Sequence, residues 1–138
     1  MPENKAHFVD TNIWLYALLD TGEAEKTEAA QALIKSSEAI VSPQVISEVC
    51  ANLVKKAKMP EEEIRKFIEG IYAKHRVTEY DMRVFLAASE LREEYSLSFW
   101  DSLIVSAAFL SGAEVIYSED MQDGLLVRET VQIINPLK

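Results

Sequence analysis

Short apolar runs that alternate with longer amphipathic segments most strongly constrain how this chain can fold. The runs lie at residues 7–10, 39–41, 114–117 and 131–134, with a briefer one at 76–78. Runs of this length that are rich in Val and Ile are typical of buried strands, whereas the segments between them repeat apolar residues at helical spacing. Strands that alternate with helices pair in parallel and are covered by those helices. The sequence therefore predicts an α/β fold with a mainly parallel sheet and helices on both of its faces.

The composition is that of one globular domain. The chain has 138 residues, of which 49% are hydrophobic and 27% are charged, so residues 1–138 are expected to form a single domain. The longest apolar stretch, at residues 103–110, is far shorter than the roughly 20 residues that a membrane span requires. The first residues carry no apolar signal core, and we therefore expect a cytoplasmic protein with no membrane partner.

Several kinds of functional site are excluded by residue counts. Cys50 is the only cysteine, which excludes an internal disulfide and a thiolate metal cluster within one chain. The two histidines, His7 and His75, are not paired at zinc-binding spacing, and the four glycines form no phosphate-binding loop. Any chemistry must therefore come from carboxylates.

Four acids occupy corresponding places at the ends of the predicted elements. Asp10 ends the first strand and Asp120 follows a later strand, while Glu48 and Asp101 lie near the first turns of two helices. Ligand sites in parallel α/β sheets form beyond the carboxyl ends of the strands, so these acids are expected to converge. Each acid alone has an ordinary use as a helix-end charge, a surface residue or a turn residue. Their matching positions favour a single site.

A cluster of carboxylates is expected to bind a divalent cation. Like charges raise one another's pKa unless a cation neutralises them, and ligand sets made only of oxygen select Mg²⁺ or Mn²⁺. Such an ion suits phosphodiester cleavage by a metal-activated water. Asp10 and Asp101 are expected to contact the metal directly. Glu48 is expected to act through water or a second ion, and Asp120 to bind the metal or orient the water.

Polar and aromatic neighbours of the acids have expected roles as well. Asn12 and Ser118 are expected to hydrogen-bond the carboxylates and orient them. Trp14 and Trp100 also lie beside the acids. We expect both tryptophans to anchor the core rather than to stack on nucleobases.

The charge distribution leaves room for a nucleic-acid partner. The net charge is −9, yet residues 55–76 carry seven basic and four acidic residues. Lys55, Lys56 and Lys58 are the candidate contacts to an RNA backbone, with an ordinary solvated helical surface as the open alternative. The apolar stripe of the helices around residues 55–72 predicts a homodimer.

Four short motifs resemble those of the PIN-domain family of nucleases, which includes the VapC-type toxins. They are Val9-Asp10-Thr11-Asn12, Ser47-Glu48-Val49, Trp100-Asp101-Ser102-Leu103-Ile104 and Tyr117-Ser118-Glu119-Asp120-Met121. The resemblance implies a three-layer α/β/α sandwich with four or five short strands, dependence on Mg²⁺ or Mn²⁺, single-stranded RNA as substrate and frequent homodimers. It also implies that the four acids form the family's acidic quartet. The family often has Thr where Ser118 stands, a change that keeps the hydroxyl.

These residues are compatible with three functions. The first is a metal-dependent endoribonuclease that acts as the toxin of a toxin–antitoxin pair, with a cognate antitoxin as partner. The second is a catalytically silent module of the same fold that binds RNA or protein. The third is a phosphomonoesterase with Asp10 as covalent nucleophile, against which Asn12 argues because a second acid is expected at that place as proton donor.

Overall fold

The computed structural model describes residues 5–36 and 38–138 and places one sheet at the centre of the chain. The strands are β1 (His7–Val9), β2 (Ile40–Val41), β3 (Arg76–Val77), β4 (Val115–Tyr117), β5 (Leu126–Val127) and β6 (Val131–Ile134). The helices are α1 (Thr11–Leu18), α2 (Ala24–Ser36), α3 (Pro43–Lys55), α4 (Glu61–Lys74), α5 (Met82–Glu94) and α6 (Phe99–Leu110).

The strand order is β3-β2-β1-β4-β6-β5, and every pairing is parallel except that of β5 with β6. The first strand of the chain therefore lies inside the sheet, between β2 and β4. Its buried residues Phe8 and Val9 pair with Ile116 and Tyr117 of β4. The predicted fold class, a three-layer α/β/α sandwich with a mainly parallel sheet, is confirmed. The site that it positions lies where β1 and β4 end.

The sheet has one strand more than the four or five predicted, counted over the described residues. The additional strand, β5, is a two-residue partner of β6, joined to it by a turn in which Arg128 and Glu129 have φ of 48° and 55°. Such a turn usually carries Asn or Gly, and neither occurs at these two positions. The Arg128 amide instead donates to the Tyr95 hydroxyl at 2.6 Å, which holds the turn in place. The hairpin therefore depends on a tertiary contact.

The sequence predicts helix caps at Ser42 and Ser98, and the structure confirms both. Ser42 and Ser98 cap α3 and α6, each accepting a hydrogen bond from an amide of the first turn. The apolar spacing predicts a fifth helix that starts at Tyr80, but the helix begins at Met82 because Asp81 supplies its cap. The apolar spacing of the second helix predicts that it runs to residue 37, which lies outside the described residues.

The two tryptophans occupy opposite environments. Trp14 is 3% exposed, and its indole Nε1 donates to the Val9 carbonyl at 3.1 Å, so its expected role as a core anchor is confirmed. Trp100 is 61% exposed, so the expectation that it anchors the core is wrong. The reason is that α6 is buried only from Ser102 to Ala108, after the turn that carries Trp100.

No helix in the described part of the chain combines the length and apolar content that crossing a bilayer demands.

Candidate active site

Asp10 is placed by the pairing of the two central strands. Val9 pairs with Tyr117, and the Asp10 amide donates to the Tyr117 carbonyl at 3.0 Å, so Asp10 and Ser118 follow these strands side by side. Asp10 is also the N-cap of α1. Its Oδ1 accepts a hydrogen bond from the Thr11 amide at 2.7 Å, and its Oδ2 accepts one from the Ser118 hydroxyl at 2.7 Å. The carboxylate is thus buried and held at both oxygens.

The environment of Asp10 favours its neutral form. Burial, with a smaller contribution from the negative charges of Glu48 and Asp101, raises its pKa from the ordinary value of 3.8 to about 6, although the hydrogen bonds from Ser118 and Thr11 offset part of the increase. Glu48 and Asp101 are therefore close enough to interact electrostatically with Asp10. An acid in such surroundings is a frequent mark of a functional site.

Glu48 reaches the same place from α3. It lies in the second turn of that helix, near the first turn as expected from the sequence, and its side chain is half-buried. Its Oε1 accepts a hydrogen bond from the Thr11 hydroxyl at 2.7 Å. Thr11 thus orients Asp10 through its amide and Glu48 through its hydroxyl. The sequence gives no signal for this second contact, because it depends on how α1 packs against α3.

Asp101 and Asp120 are less constrained. Asp101 lies in the first turn of α6, where its amide donates to the Ser98 hydroxyl at 3.1 Å and its side chain is half-buried. Asp120 is exposed in the loop after β4. Neither carboxylate accepts a hydrogen bond from any part of the chain that the structure describes. Both are therefore free to turn toward a ligand.

One open cleft of about 480 Å³ connects these side chains. Asp10, Glu48, Asp101 and Asp120 all line it. The four acids thus line one cleft, as expected. Their roles as catalytic residues and metal ligands stay predictions. Within residues 5–36 and 38–138, no three acidic, histidine or cysteine side chains are already gathered as a set that could hold an ion. Closer approach of the acids therefore requires side-chain movement.

The donor chemistry of the cleft fits a divalent cation. Its ionisable ligands are carboxylates, and the pKa of the buried one is raised partly by the charges of two others. A hard cation would remove both the repulsion and the cost of burying the charge on Asp10. Asp10, Glu48 and Asp101 are the residues that would hold such an ion, with the exposed Asp120 able to turn toward it.

Of the two residues expected to support the carboxylates, Ser118 donates to Asp10 as described above, whereas Asn12 has a different partner. The Asn12 Oδ1 accepts a hydrogen bond from the Glu119 backbone amide at 3.4 Å. Its Nδ2 is buried without a hydrogen-bond partner in the described chain. Asn12 thus holds the segment that leads to Asp120.

A second anchor of the same segment was missed by sequence reasoning. The Glu119 carboxylate accepts hydrogen bonds from the Tyr16 hydroxyl at 2.9 Å and the Lys26 ammonium at 2.6 Å. The contact with Lys26, followed by that with Tyr16, lowers the pKa of Glu119. These three residues, which we call the Glu119 clamp, fix the backbone next to Asp120. Glu119 lies about a hundred positions from Tyr16 and Lys26 in the chain, so no local sequence pattern could have revealed these contacts.

The three lysines proposed as RNA contacts are exposed, but only Lys56 lines the cleft. It is accompanied there by Asn52 and Trp100. Lys55 and Lys58 lie outside the cleft lining. The cleft thus combines carboxylates with one cation and one exposed aromatic ring.

Comparisons with known proteins agree with this geometry. The PIN domain family matches residues 7–122. Among solved structures, a toxin–antitoxin complex from Klebsiella pneumoniae has a chain with a TM-score of 0.68 and 19% identity, covering 95% of this chain and 97% of that one. VapC20 from Mycobacterium tuberculosis, described as a sarcin–ricin loop cleaving toxin, has a TM-score of 0.67 and 19% identity over 83% of this chain and 90% of its own. FitAcB from Neisseria gonorrhoeae has a TM-score of 0.63 and 14% identity over 94% of this chain and 97% of its own.

No curated protein sequence matches the chain significantly. The three structural likenesses described above, each below 20% identity, show the fold. The family match covers most of the chain and includes all four acids of the cleft. On that match, the chain belongs to the PIN domain family.

Proposed function

We propose that this protein is a metal-dependent endoribonuclease that cleaves single-stranded RNA. The observation that carries the proposal is the cleft that the buried Asp10 shares with three other acids, two of which, together with burial, raise the pKa of Asp10. Mg²⁺ or Mn²⁺ is the proposed cofactor, because the site offers oxygen ligands.

Bound in the cleft, the ion would activate water and stabilise charge on the phosphate. The chain itself supplies orientation. Ser118 and the Thr11 amide fix the two oxygens of Asp10, and the Thr11 hydroxyl turns the Glu48 carboxylate toward the same cleft. Asp101 and Asp120 add carboxylates with rotational freedom. Lys56 offsets negative charge on an entering RNA backbone.

A role as the toxin of a toxin–antitoxin pair is proposed from the structural neighbours. The Klebsiella pneumoniae structure is a toxin–antitoxin complex, and VapC20 is described as a toxin that cleaves the sarcin–ricin loop. By this analogy we propose a cognate antitoxin as partner, a homodimer as the assembled state and the cytoplasm as the place of action. These three proposals rest on the similarity in fold to the two toxin structures.

The test is cleavage of single-stranded RNA in Mg²⁺, repeated with EDTA and with Asp10→Asn. Asp81→Asn is a matched control, because Asp81 also caps a helix but lies outside the cleft. We expect Asp10→Asn and EDTA to abolish cleavage and Asp81→Asn to retain it. Cleavage that survives EDTA or Asp10→Asn would contradict the proposal.

A catalytically silent RNA-binding or protein-interaction module is the second candidate. It is favoured by the dispersed arrangement of the acids, which do not form a ready metal-binding set in the described residues. RNA that is bound but stays intact in both Mg²⁺ and Mn²⁺ would support this function over cleavage.

A further inference from the structure

Trp100 is a large exposed aromatic ring at the acidic cleft. It is 61% exposed, it lines the cleft, and it directly precedes Asp101 in α6. Burying an aromatic ring of this size is favourable, so a ring left exposed in a concave site is a typical binding anchor. The buried Trp14 shows that the same fold can enclose a tryptophan. The exposure of Trp100 is therefore a local feature of the cleft.

The ring of Trp100 packs against the neighbouring ring of Phe99, which thereby braces it. Phe99 contacts it edge to face, with ring centroids 5.1 Å apart and an interplanar angle of 85°. The Arg92 guanidinium lies 4.8 Å from the Phe99 ring centroid and donates to the Ser102 hydroxyl at 2.7 Å. These contacts restrict the motion of both rings. A ring that is already ordered loses less conformational entropy when it binds a ligand.

The backbone of Trp100 is tied to the neighbouring helix. Its carbonyl accepts a hydrogen bond from the Gln44 Nε2 at 3.4 Å, and the Gln44 Oε1 accepts one from the Tyr80 hydroxyl at 3.2 Å. The first turn of α6 is thus connected to the start of α3, the helix that carries Glu48. Trp100 is thereby held in a defined relation to the acids.

The charges of the cleft point to the class of ligand. Lys56 supplies a cation that suits a phosphate, and the carboxylates suit a metal ion that also binds phosphate. An aromatic ring adds a surface for a planar group. Phosphate recognition combined with aromatic stacking is the usual way in which proteins hold single-stranded nucleic acid.

We propose that Trp100, braced by Phe99, is a stacking platform for an unpaired nucleobase of the RNA strand that enters the acidic cleft. Both faces of a base are covered inside a duplex, whereas a base in a single strand is free to stack on a protein ring. Trp100 is therefore a substrate contact that selects single strands over duplexes. The inference rests on the proposed function for its substrate, and RNA binding tests it separately from cleavage.

The test uses Asp10→Asn protein in Mg²⁺, so that the RNA stays intact, and compares it with the same protein carrying Trp100→Leu. Binding is measured by fluorescence anisotropy of a short labelled single-stranded RNA. We expect about a tenfold or greater loss of affinity, the scale observed when one stacked base loses its aromatic partner. Trp100→Phe should retain part of the affinity. Tyr72→Leu is the matched control, because Tyr72 is 57% exposed but lies on α4 outside the cleft.

Two further RNAs separate stacking from charge. A strand of the same length with abasic sites keeps the phosphates, and the same strand annealed to its complement hides the bases. We expect both to bind weakly and to be nearly insensitive to Trp100→Leu. The single strand should also quench tryptophan fluorescence, and this quenching should be lost with Trp100→Leu but kept with Tyr72→Leu.

The outcomes are separable. Three results would overturn the inference. The first is equal single-strand binding with and without the Trp100→Leu substitution, and the second is a loss of affinity that is as large for the duplex and abasic strands as for the single strand. The third is no binding of the single strand at all. If RNA is cut but Trp100→Leu binds normally, the proposed nuclease function survives and the stacking role falls. If stacking is observed while the unsubstituted protein cuts no RNA in Mg²⁺ or Mn²⁺, the nuclease function falls and the binding role survives.

Discussion

The N-terminal ends of α1 and α6 both present an aspartate to the same cleft, but the two carboxylates differ in burial and therefore in the free-energy cost of carrying a charge. On α1, Asp10 itself caps the helix, is 7% exposed and accepts hydrogen bonds at both carboxylate oxygens. On α6, Ser98 takes the capping role, and Asp101 lies half-buried in the first turn with no hydrogen bond to its carboxylate from the described chain. The Asp10 carboxylate is buried and held by hydrogen bonds, whereas the Asp101 carboxylate is better solvated and is not held by hydrogen bonds from the described chain.

This difference indicates a division of roles. The pKa of Asp10 is raised to about 6 by its burial and its neighbours, so keeping it charged at neutral pH destabilises the metal-free fold. Asp101 interacts with the helix dipole at an N-terminal turn, which favours a negative charge. We infer that Asp10 holds one fixed position for a ligand atom. Asp101 reorients its side chain to contact the ligand that Asp10 binds.

The largest expected effect is on cleavage. Asp10→Asn and Asp101→Asn should each lower the rate of RNA cleavage by about 1,000-fold or more, because losing one carboxylate removes several kcal/mol of charge stabilisation. Initial rates at saturating Mg²⁺ measure this. A variant that keeps more than a tenth of the activity would remove that residue from the proposed site.

The two aspartates should differ in their effect on stability. The folded-state pKa of Asp10, about 6, lies above its ordinary value of 3.8, so the folded protein binds this proton more tightly than the unfolded chain does. The charged carboxylate therefore costs stability above pH 6. This cost decreases as the pH falls from 6 toward 3.8 and is absent below that range.

In metal-free protein at pH 8, Asp10→Asn should therefore raise the free energy of unfolding by up to about 3 kcal/mol, while Asp101→Asn should change it little. Urea unfolding at pH 8 and at pH 4 measures both variants against the unsubstituted protein. The gain from Asp10→Asn should shrink at the lower pH. A gain that is independent of pH, or equal for the two variants, would contradict the contrast between the helices.

A smaller effect is expected at the Glu119 clamp. Asp120 has no hydrogen bond of its own in the described chain, so its position depends on the anchored Glu119 next to it. Glu119→Gln keeps an acceptor for Tyr16 but removes the charge that pairs with Lys26. We expect the Mn²⁺ midpoint for cleavage to rise about tenfold, the usual scale for a residue that supports a metal ligand.

The matched control for the clamp is Glu63→Gln, which removes a carboxylate paired with Lys66 on the surface. It should leave the Mn²⁺ midpoint unchanged. If both variants shift the midpoint equally, or if Glu119→Gln shifts it as much when Asp120 is already replaced by Asn, the clamp does not act through Asp120.

The sequence alone predicted the parts of this molecule that depend on local patterns. The short apolar runs indicated the parallel strands, and Ser42 and Ser98 marked the starts of α3 and α6. The general rule that the carboxyl ends of parallel strands share one edge of the sheet placed Asp10 and the segment after β4 at the same edge. That their two strands are direct neighbours is known only from the structure.

The parts that were missed depend on packing between distant segments. Trp100 was expected in the core because α6 is apolar along its length, but hydrophobicity does not show which turn of a helix reaches the edge of the layer. The β5–β6 turn carries Arg128 and Glu129 instead of a typical turn pair. The contact of Thr11 with Glu48 links residues 37 positions apart. Such contacts are set by tertiary structure.

The most direct test of a metal site centred on Asp10 is the effect of Mg²⁺ on thermal unfolding. At a Mg²⁺ concentration about 100-fold above Kd, the unsubstituted protein should melt roughly 5–10 °C higher than in EDTA. The Tm of the Asp10→Asn variant should not respond to Mg²⁺, although in EDTA at pH 8 it should exceed that of the unsubstituted protein. Equal Mg²⁺-induced shifts in the two proteins, or no shift in the unsubstituted protein with either Mg²⁺ or Mn²⁺, would contradict a metal site at Asp10.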